Sequence, residues 1–264
     1  MKQYFVIGDP IEHSLSPKLH NFWFKNNKVD ASYEKKRLEQ NEIENCIYKI
    51  RQKEITGLNV TVPFKKIVIP FLDKLSYEAE QTQSVNTIFL ENNNLVGHNT
   101  DVGGFIGALK SLNFNPKGKK IFMLGAGGVV PSIIFALNKM EAFDITISNR
   151  TKQNAENLKN QFNNVKLVDW GDLPDFDVII NATSLGLNKE IINLDFSKVG
   201  TNKLFYDVIY NPTETNFLKE AKKFGNIAEN GKLMFVYQAF EAFKLWHGIE
   251  PEINKEILKL LDND

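Results

Sequence analysis

The sequence predicts an α/β protein of two domains, each built around its own β-sheet. Short apolar runs alternate with segments of helical periodicity along almost the whole of the 264-residue chain. Near its middle, a strand-like run leads through a glycine-rich turn into a helix, and a second series of alternating elements follows. A chain of this length that is 42% hydrophobic can form two separate cores.

The first hundred residues predict the order β-α-β-α-β-α. Three short apolar runs are separated by segments in which apolar residues recur every three or four positions. We expect Ser16, followed by Pro17, to begin the first helix, Pro63 to begin the third, and Pro70 to end or kink that helix. In chain order the elements are YFVIG, SPKLHNFWFKNN, ASYEKKRL, NEIENCIYKIRQK, ITGLNVTV and PFKKIVIPFLDKL.

The segment SVNTIFLENNNLVGHNTD predicts a β-hairpin, because two strand-like runs flank the polar turn from Glu91 to Asn94. The next segment, VGGFIGALKSL, predicts a helix with one apolar face. The stretch NFNPKGKK is rich in turn-forming residues, so the junction between the domains is expected near it.

The second series predicts a parallel sheet covered on both faces, because its strands are almost continuously apolar and lie between amphipathic helices. The last part of the chain is helical with no strand between its segments, so it need not belong to that sheet. The elements are IFMLGAGG, VVPSIIFALNKM, DITISNR, KQNAENLKNQF, VKLVDW, DVIINATS, NKLFYDVIY and NFLKEAKKFG, then the helices LMFVYQAFEAFKLWHG and EINKEILKLLDND.

Composition excludes several classes of partner. The chain has 32 Lys plus Arg and 32 Asp plus Glu, so no net charge attracts nucleic acid or an anionic membrane surface. No stretch approaches ~18 consecutive apolar residues, and the first apolar run is too short for a signal-peptide core, so we expect a cytoplasmic protein. The single cysteine, Cys46, is expected to pack in the core, and four histidines without metal-ligand spacing predict no metal site.

Gly125, Ala126, Gly127 and Gly128 form the sharpest local motif. They follow a strand and precede a helix, where the first glycine of a Rossmann-type unit forms the tight turn and the second lets the backbone approach the pyrophosphate of a dinucleotide. Val130 stands at the third position of the pattern, where Gly or Ala is usual, and an ordinary strand-to-helix turn is the alternative. The context favours a Rossmann-like nucleotide-binding domain.

Asn149, Arg150 and Thr151 follow the next strand, about 24 residues after Gly125. NAD-dependent enzymes commonly place an acidic residue here, against the ribose hydroxyls. A guanidinium and a hydroxyl instead favour the 2′-phosphate of NADP, and no carboxylate is present to repel it. The alternative is a helix N-cap beside a solvated arginine.

Four polar clusters interrupt the apolar pattern of the first domain. Each follows a strand or a hairpin arm, at the kind of edge where open α/β sheets bind ligands. Taken singly, Ser16 and Asp101 are also typical helix caps, and Lys65 is typical of a solvated surface lysine. Together, many neutral donors and acceptors with one lysine and one aspartate favour a polyhydroxylated small molecule that exchanges a proton. The clusters are residues 13–17, 59–65, 85–87 and 99–101.

By its motifs the chain resembles the shikimate dehydrogenase family across essentially its whole length. The run NVTVPFK with a downstream NTD is highly specific to this family and its close relatives. The motifs occur in the family's order and spacing: GDPIEHSLSP, GLNVTVPFK, SVNTI, GHNTD, GAGG, NRT, NATS, YDVIYNPTETNFL and VYQAF.

The resemblance implies an NADP-dependent dehydrogenase, an oxidoreductase that reversibly reduces 3-dehydroshikimate to shikimate in the pathway to chorismate and the aromatic amino acids. It implies direct hydride transfer, with Lys65 as general acid in reduction and general base in oxidation, and with Asp101 positioning the substrate and the lysine. It also implies a substrate domain of residues 1–103 completed by helices in residues 237–264, and a Rossmann-like NADP-binding domain of residues 104–236. No metal, nucleic acid or membrane partner is expected, and the protein is expected to be a monomer or a homodimer.

The remaining site residues of the family map onto this chain position by position. The implied substrate contacts are Ser14, Ser16, Asn59, Thr61, Asn86, Gln238 and Tyr210. The implied NADP contacts are Gly125, Ala126, Gly127, Gly128, Asn149, Arg150, Thr151, Thr183, Val208 and Gly231.

The sequence departs from the family pattern at several positions. Asp9 stands where the family usually has the asparagine of GNP, and Leu233 replaces a frequent glycine. Residues 129–131, Val-Val-Pro, follow GAGG in place of small residues and an arginine. These departures concern NADP affinity and domain closure rather than the class of reaction.

Two other functions are open. A quinate/shikimate dehydrogenase would perform the same chemistry on a substrate with one more hydroxyl, and the paired Ser14 and Ser16 favour shikimate instead. A noncatalytic NADP-binding regulator of the same fold is the second, and the presence of both Lys65 and Asp101 argues against it.

Overall fold

The structure of the protein is a computed structural model that describes residues 1–188 and 190–262. The chain divides into two compact units, Met1–Gly104 with Val236–Asp264, and Phe105–Phe235. Each unit contains a six-stranded sheet flanked by helices. The α/β fold class predicted from the alternating apolar pattern is confirmed.

Helices lie between most of the strands, as the pattern predicts. In chain order they are α1 (Ser16–Asn26), α2 (Ile43–Arg51), α3 (Tyr77–Thr82), α4 (Thr100–Ser111), α5 (Val130–Lys139), α6 (Lys152–Gln161), α7 (Asn216–Lys223), α8 (Lys232–His247) and α9 (Lys255–Asp262). None of the helices in the described part of the chain is both long and apolar enough to span a bilayer. Helix α3 was not predicted from the sequence. It begins after Ser76, a typical capping residue, whose side chain accepts a hydrogen bond from Ala79 N at 3.3 Å.

The sheet of the first unit is mixed. Its strands are β1 (Lys2–Gly8), β2 (Ala31–Arg37), β3 (Gly57–Val60), β4 (Lys74–Leu75), β5 (Thr87–Glu91) and β6 (Asn94–His98). The strand order is β2-β1-β3-β5-β6-β4. β1, β2 and β3 run parallel, whereas β5 and β6 form the predicted antiparallel hairpin, whose turn residues Asn92 and Asn93 both have positive φ.

Four chain segments meet at one edge of this sheet. β1 and β3 end there, and because β5 runs antiparallel to β3, β5 begins and β6 ends at the same edge. The register aligns Asn59 with Thr87, and Thr87 with His98. The topology therefore brings the four polar clusters of the first domain to a common edge.

The prediction of a helix at PFKKIVIPFLDKL, residues 63–75, is wrong. Residues 62–68 form successive turns, Ile69–Phe71 form a single 3-10 turn, and β4 follows. Pro70 lacks an N–H, and in an α-helix its ring would clash with the carbonyl of Lys66, so the segment before it is too short to sustain a helix. The Lys65 carbonyl instead accepts a hydrogen bond from Val85 N at 2.9 Å, which ties this segment to the start of the hairpin.

Apolar side chains cover both faces of the first sheet. On one face, Ile43, Ile47 and Ile50 of α2 pack against the strands together with Cys46, which is buried as predicted. On the other face, aromatic and imidazole rings from β1, β2, α1 and α8 form a cluster, here called the aromatic cluster. Its members are Tyr4, His20, Trp23, Phe24, Tyr33, Phe243, Trp246 and His247.

The aromatic cluster makes the first unit sensitive to acid. Burial lowers the pKa of His20 to about 3 and that of His247 to about 4. Neither ring nitrogen of His20 has a hydrogen-bond partner among the described residues. Since the unfolded chain binds a proton near pH 6.5 and the folded chain does not, stability is complete above that pH and is lost as pH falls toward 3.

We expect the free energy of unfolding to fall by on the order of 2 kcal/mol between pH 8 and pH 5 through His20 alone. Denaturant unfolding at both pH values measures this loss, and His20→Phe, which keeps a ring in the cluster, should reduce it. Tyr4→Phe, a substitution in the same cluster that removes no histidine, is the control and should leave the pH dependence unchanged. An equal pH dependence in wild type and His20→Phe would contradict the assignment.

The sheet of the second unit is entirely parallel. Its strands are β7 (Lys120–Leu124), β8 (Asp144–Ser148), β9 (Val165–Val168), β10 (Val178–Asn181), β11 (Leu204–Asp207) and β12 (Ile227–Glu229). Strand β12 was not predicted from the sequence. The strand order is β12-β11-β10-β7-β8-β9. This is the Rossmann order, so the predicted Rossmann-like fold of this unit is confirmed.

The strand order of the second unit reverses between β7 and β10, which are hydrogen-bonded neighbours. In folds of this kind, ligands bind outside the carboxyl ends of the strands at that point. Gly125 follows β7, and Ala182 and Thr183 follow β10. The fold thus places the glycine-rich turn at the edge where a dinucleotide binds.

Candidate active site

A buried ion pair lies at the common edge of the first sheet. Lys65 Nζ donates a hydrogen bond to Asp101 Oδ2 at 2.5 Å, and the two side chains are only 12% and 8% exposed. Lys65 lies in the turns that follow β3, and Asp101 lies in the first turn of α4. The interpretation of Lys65 as a solvated surface lysine is therefore wrong.

Asn99, rather than Asp101, caps α4. The Asn99 Oδ1 atom accepts hydrogen bonds from Asp101 N at 3.1 Å and Val102 N at 3.3 Å. The Asn99 amide group donates to Thr82 Oγ1 and to Ser84 O, both at 2.9 Å, so its orientation is fixed from both ends. Asp101 as a helix cap is wrong, and its carboxylate is available for Lys65.

Replacing the cap should therefore affect both stability and the ion pair. Asn99→Ala removes the acceptor for two backbone N–H groups, which typically costs about 1 to 2 kcal/mol. It also releases the first turn of α4, so we expect a lower kcat for shikimate oxidation. Chemical denaturation and steady-state kinetics measure both effects, with the exposed Asn26→Ala as the control. An unchanged kcat would contradict a positioning role for Asn99.

Asn86 holds the other carboxylate oxygen of Asp101. Its Nδ2 group donates to Asp101 Oδ1 and to Thr100 Oγ1, both at 2.9 Å. Its Oδ1 atom accepts from Thr100 N at 2.8 Å and from Thr87 Oγ1 at 3.1 Å. Both amide protons of Asn86 are thus used within the protein, and in this arrangement Asn86 orients Asp101 toward Lys65.

Asn59 lies on the neighbouring strand and is 7% exposed. Its Nδ2 group donates to Asn86 O at 3.1 Å and to Thr87 Oγ1 at 3.0 Å, and its Oδ1 atom accepts from the Tyr33 hydroxyl at 2.6 Å. Because an amide oxygen has two lone pairs, one acceptor position on Asn59 remains. That position suits a hydroxyl group of a ligand.

Ser14, Ser16 and Thr61 belong to the same edge. Ser14 Oγ accepts a hydrogen bond from Ser16 N at 3.3 Å, and Thr61 N donates to Ile7 O at 2.9 Å. Ser16 is the first residue of α1, but the N-cap position belongs to Leu15, which makes no side-chain cap bond. The prediction of Ser16 as the cap of α1 is thus wrong, and Ser16 is instead a buried residue at this edge.

α8 packs beside the first turn of α4. A Cβ atom built on Gly103 would lie 3.0 Å from Cγ of Glu241, so glycine permits this close approach. Gln238 lies one helical turn before Glu241, is half-buried and takes part in a hydrogen bond or other polar contact. Gln238 is thus in the same unit as Lys65 and Asp101.

The glycine-rich turn of the second unit requires glycine at its first position. Gly125 has φ +108°, and a Cβ there would lie 2.7 Å from Ala182 O. Gly127 and Gly128 expose their backbone, and Ala126 is half-buried. Val130 is fully buried in α5, so valine at that position is accommodated in the core. The turn fits the pyrophosphate of a dinucleotide, which needs close approach to backbone N–H groups.

A buried polar network supports the segment after β10. Thr183 N and Oγ1 both donate to Asn181 Oδ1, at 3.1 and 2.7 Å, and Asn181 Nδ2 donates to Asp207 Oδ1 at 3.1 Å. The other oxygen of Asp207 accepts from Thr215 Oγ1 at 2.6 Å. Burial raises the pKa of the Asp207 carboxyl. Asp207 and Thr215 were not predicted as site residues, although both lie in the motif YDVIYNPTETNFL.

Val208 and Gly231 lie against one another. A Cβ on Gly231 would lie 2.1 Å from Val208 O, so only glycine fits at this position.

Tyr210 also lies in the second unit, where its ring stacks on Phe235 with centroids 4.6 Å apart. The other predicted substrate contacts, including Gln238, lie in the first unit.

Arg150 is exposed and makes no hydrogen bond or ion pair with any residue of the described ranges. Asn149 Nδ2 donates to Thr151 O at 2.7 Å, which shapes the turn after β8. Thr151 stands at the N-cap of α6 but makes no side-chain cap bond. A free guanidinium and a free hydroxyl at this strand end fit a phosphate group.

Asp9, a departure from the family pattern, has a structural partner. Its Oδ1 atom accepts a hydrogen bond from Arg37 Nε at 2.7 Å, so the loop after β1 is tied to the end of β2.

Within residues 1–188 and 190–262, no three His, Cys, Asp or Glu side chains are grouped as in a metal site.

Three family models match the chain. The model of the shikimate dehydrogenase substrate binding domain matches residues 6–88, and that of shikimate / quinate 5-dehydrogenase matches residues 108–204. The model of the shikimate 5′-dehydrogenase C-terminal domain matches residues 233–255. The matches cover both units.

Individual proteins are similar over nearly the full chain. Shikimate dehydrogenase (NADP(+)) of Pelagibacter ubique is 55% identical over 262 residues, with 99% of both chains covered. The structure of shikimate 5-dehydrogenase from Listeria monocytogenes, in complex with shikimate and NAD, has a TM-score of 0.91 at 30% identity and covers 99% of this chain and 96% of its own. The Thermus thermophilus enzyme, in complex with NADP(H) and shikimate, has a TM-score of 0.87 at 31% identity, with 96% and 95% covered.

Proposed function

The chain belongs to the shikimate dehydrogenase family, and on that premise we propose that it catalyses the reversible, NADP-dependent reduction of 3-dehydroshikimate to shikimate. The observation that carries this proposal is the buried Lys65–Asp101 pair, surrounded by neutral donors and acceptors from three neighbouring segments. A site of that composition suits a polyhydroxylated acid whose ketone or hydroxyl oxygen exchanges a proton.

Lys65 is the acid and base of the proposed reaction. In reduction, a hydride adds to the carbonyl carbon, and the Lys65 ammonium donates a proton to the oxygen, which becomes the hydroxyl group of shikimate. In oxidation, the neutral Lys65 amine accepts the hydroxyl proton as the hydride leaves. Asp101, held by Asn86 and by the turn that Asn99 caps, keeps Lys65 Nζ in one position.

The second unit holds the cofactor in this proposal. NADP, when bound, accepts the hydride from shikimate, and NADPH supplies it in the reverse direction. The backbone of residues 125–128 receives the pyrophosphate, and Asn149, Arg150 and Thr151 receive the adenosine 2′-phosphate. Thr183, Val208 and Gly231 line the nicotinamide side. The steric requirement for glycine at residues 125 and 231 and the unpaired Arg150 support these roles.

The first unit holds the substrate. Ser14 and Ser16 receive the carboxylate end, and the remaining contacts are to ring hydroxyls. The open acceptor position on Asn59 Oδ1 supports such a contact. The proposed contacts to ring hydroxyls are Asn59, Thr61, Gln238 and Tyr210, whereas Asn86, whose amide protons are both used within the protein, acts by orienting Asp101.

We propose that the protein acts in the cytoplasm as a monomer or a homodimer. A dissociable cofactor and a small hydrophilic substrate support action in the cytoplasm. The residues proposed for catalysis all come from one chain, which is compatible with a monomer or a homodimer.

Substrate preference tests the proposal against a quinate/shikimate dehydrogenase. We expect shikimate to be oxidised with a much higher kcat/KM than quinate, because quinate carries an additional hydroxyl on the carbon that bears the carboxylate, at the end that we propose Ser14 and Ser16 receive. Steady-state rates measured from the absorbance of NADPH or NADH, with each acid crossed with NADP and NAD, give the comparison. Similar kcat/KM values for both acids would assign the chain dual specificity, and no turnover with either would indicate a noncatalytic NADP-binding protein.

A further inference from the structure

Tyr33 is a fully buried residue in the middle of β2, the edge strand of the first sheet. Its ring stacks on His20, with centroids 4.4 Å apart and an interplanar angle of 3°. Its backbone is held from α1, because Tyr33 N donates to Asn21 Oδ1 at 3.0 Å and Asn21 Nδ2 donates to Tyr33 O at 2.8 Å. The position of the hydroxyl group is therefore fixed by both the ring and the backbone.

The Tyr33 hydroxyl group contacts a side chain that the proposed function assigns to the substrate. It donates a hydrogen bond to Asn59 Oδ1 at 2.6 Å. Burial raises the pKa of Tyr33 well above its usual value, so the phenolic proton is present at neutral pH.

This contact determines what Asn59 offers to a ligand. The Asn59 amide protons are directed at Asn86 O and Thr87 Oγ1, and the Tyr33 hydroxyl group fixes the carboxamide oxygen from the other side. Without the phenolic donor, one lone pair of Asn59 Oδ1 would be buried and unpaired. The carboxamide would then be free to adopt other orientations.

We propose that Tyr33 is a positioning residue for substrate binding, which acts by orienting Asn59 through its hydroxyl group. This inference rests on the proposed function, since the substrate it serves is shikimate. Tyr33 lies behind the residues that contact the substrate, and its role is in binding rather than in proton transfer.

The test compares Tyr33→Phe with a matched control, Tyr4→Phe. Tyr4 is the cross-strand neighbour of Tyr33 on β1 and is equally buried, but its hydroxyl group makes no hydrogen bond with a described residue. We expect Tyr33→Phe to raise the KM for shikimate about tenfold, while kcat and the KM for NADP stay within about twofold of wild type. Tyr4→Phe should change none of the three constants.

A double-mutant cycle shows whether Tyr33 acts through its partners. Tyr33→Phe combined with Asn59→Ala should raise the KM no further than Asn59→Ala alone, and Asn59→Ser takes the place of Asn59→Ala if that variant does not fold. An unchanged KM in Tyr33→Phe, equal effects in Tyr33→Phe and Tyr4→Phe, or additive effects in the cycle would overturn the inference and leave the proposed function intact. Absence of shikimate oxidation by the wild-type protein would overturn the proposed function, and this inference with it.

Discussion

Lys65→Ala is expected to lower kcat for shikimate oxidation by about 10²- to 10⁴-fold, the usual contribution of a positioned acid or base. Affinity for shikimate should stay within a modest factor of wild type, because the neutral donors and acceptors around the site remain in place. The fold should also remain, although Asp101 then loses its partner in a site where its side chain is only 8% exposed. Steady-state kinetics and a direct binding titration measure the two effects separately.

Lys66→Ala is the matched control for this experiment. Lys66 is the next residue in the chain and is exposed, and it takes no part in the network around Asp101. Its replacement should leave kcat unchanged. Near-wild-type kcat in Lys65→Ala would remove Lys65 from the mechanism, and a large loss in both variants would indicate damage to the turns after β3 instead.

Arg150→Ala should weaken NADP binding about ten- to a hundredfold and leave NAD binding unchanged. The reason is that a charge-assisted hydrogen bond to the 2′-phosphate is available to NADP alone. Arg150 has no partner among the described residues, so its removal leaves no other group unpaired. The measurement is KM for each cofactor at saturating shikimate.

The exposed Lys159→Ala on α6 serves as the control for general loss of positive charge. It should affect neither cofactor, since it lies away from the turn after β8. An equal loss of NADP and NAD affinity in Arg150→Ala would mean that Arg150 supports only the structure of that turn. A preference of the wild-type protein for NAD would contradict the cofactor assignment itself.

The common edge of the first sheet could be predicted from the sequence because it follows from strand direction. Parallel strands joined by helices end on the same side, and a hairpin returns the chain to that side. The polar clusters around Lys65 and Asp101 were therefore expected to converge. The same argument predicted the Rossmann-like unit, because the glycine-rich turn stands between a buried strand and a helix.

The identity of the α4 cap could not be predicted, because Asn99 and Asp101 are both typical capping residues at nearly adjacent positions. In the folded protein the Asn99 amide group is anchored to Thr82 and Ser84, so its oxygen is the cap. The turns around Lys65 were missed for a similar reason. Their helical periodicity is a local property, whereas the hydrogen bond from Val85 to the Lys65 carbonyl is a long-range one.

Tyr33 gave no recognisable signal in the sequence, and Asp207 stood out only as part of the motif YDVIYNPTETNFL. Tyr33 stands in ASYEKKRL, a run of mostly polar residues, and nothing in that pattern indicates that its hydroxyl group reaches Asn59 on β3. Asp207 ends a strand, where a carboxylate is usually solvated, but here it is fully buried and its oxygens accept hydrogen bonds from Asn181 and Thr215. Both residues act through partners that are distant in sequence.

Direct hydride transfer from shikimate to NADP can be tested with deuterium-labelled substrate. The label is placed on the carbon that bears the hydroxyl group to be oxidised. The wild-type protein would be incubated with this substrate and NADP, and both products would be analysed by mass spectrometry. We expect one deuterium in the NADPH formed and none at the ketone carbon of 3-dehydroshikimate, with a rate that falls about 10²- to 10⁴-fold in Lys65→Ala. Deuterium released to solvent rather than carried by NADPH, or no NADPH formed at all, would contradict direct hydride transfer.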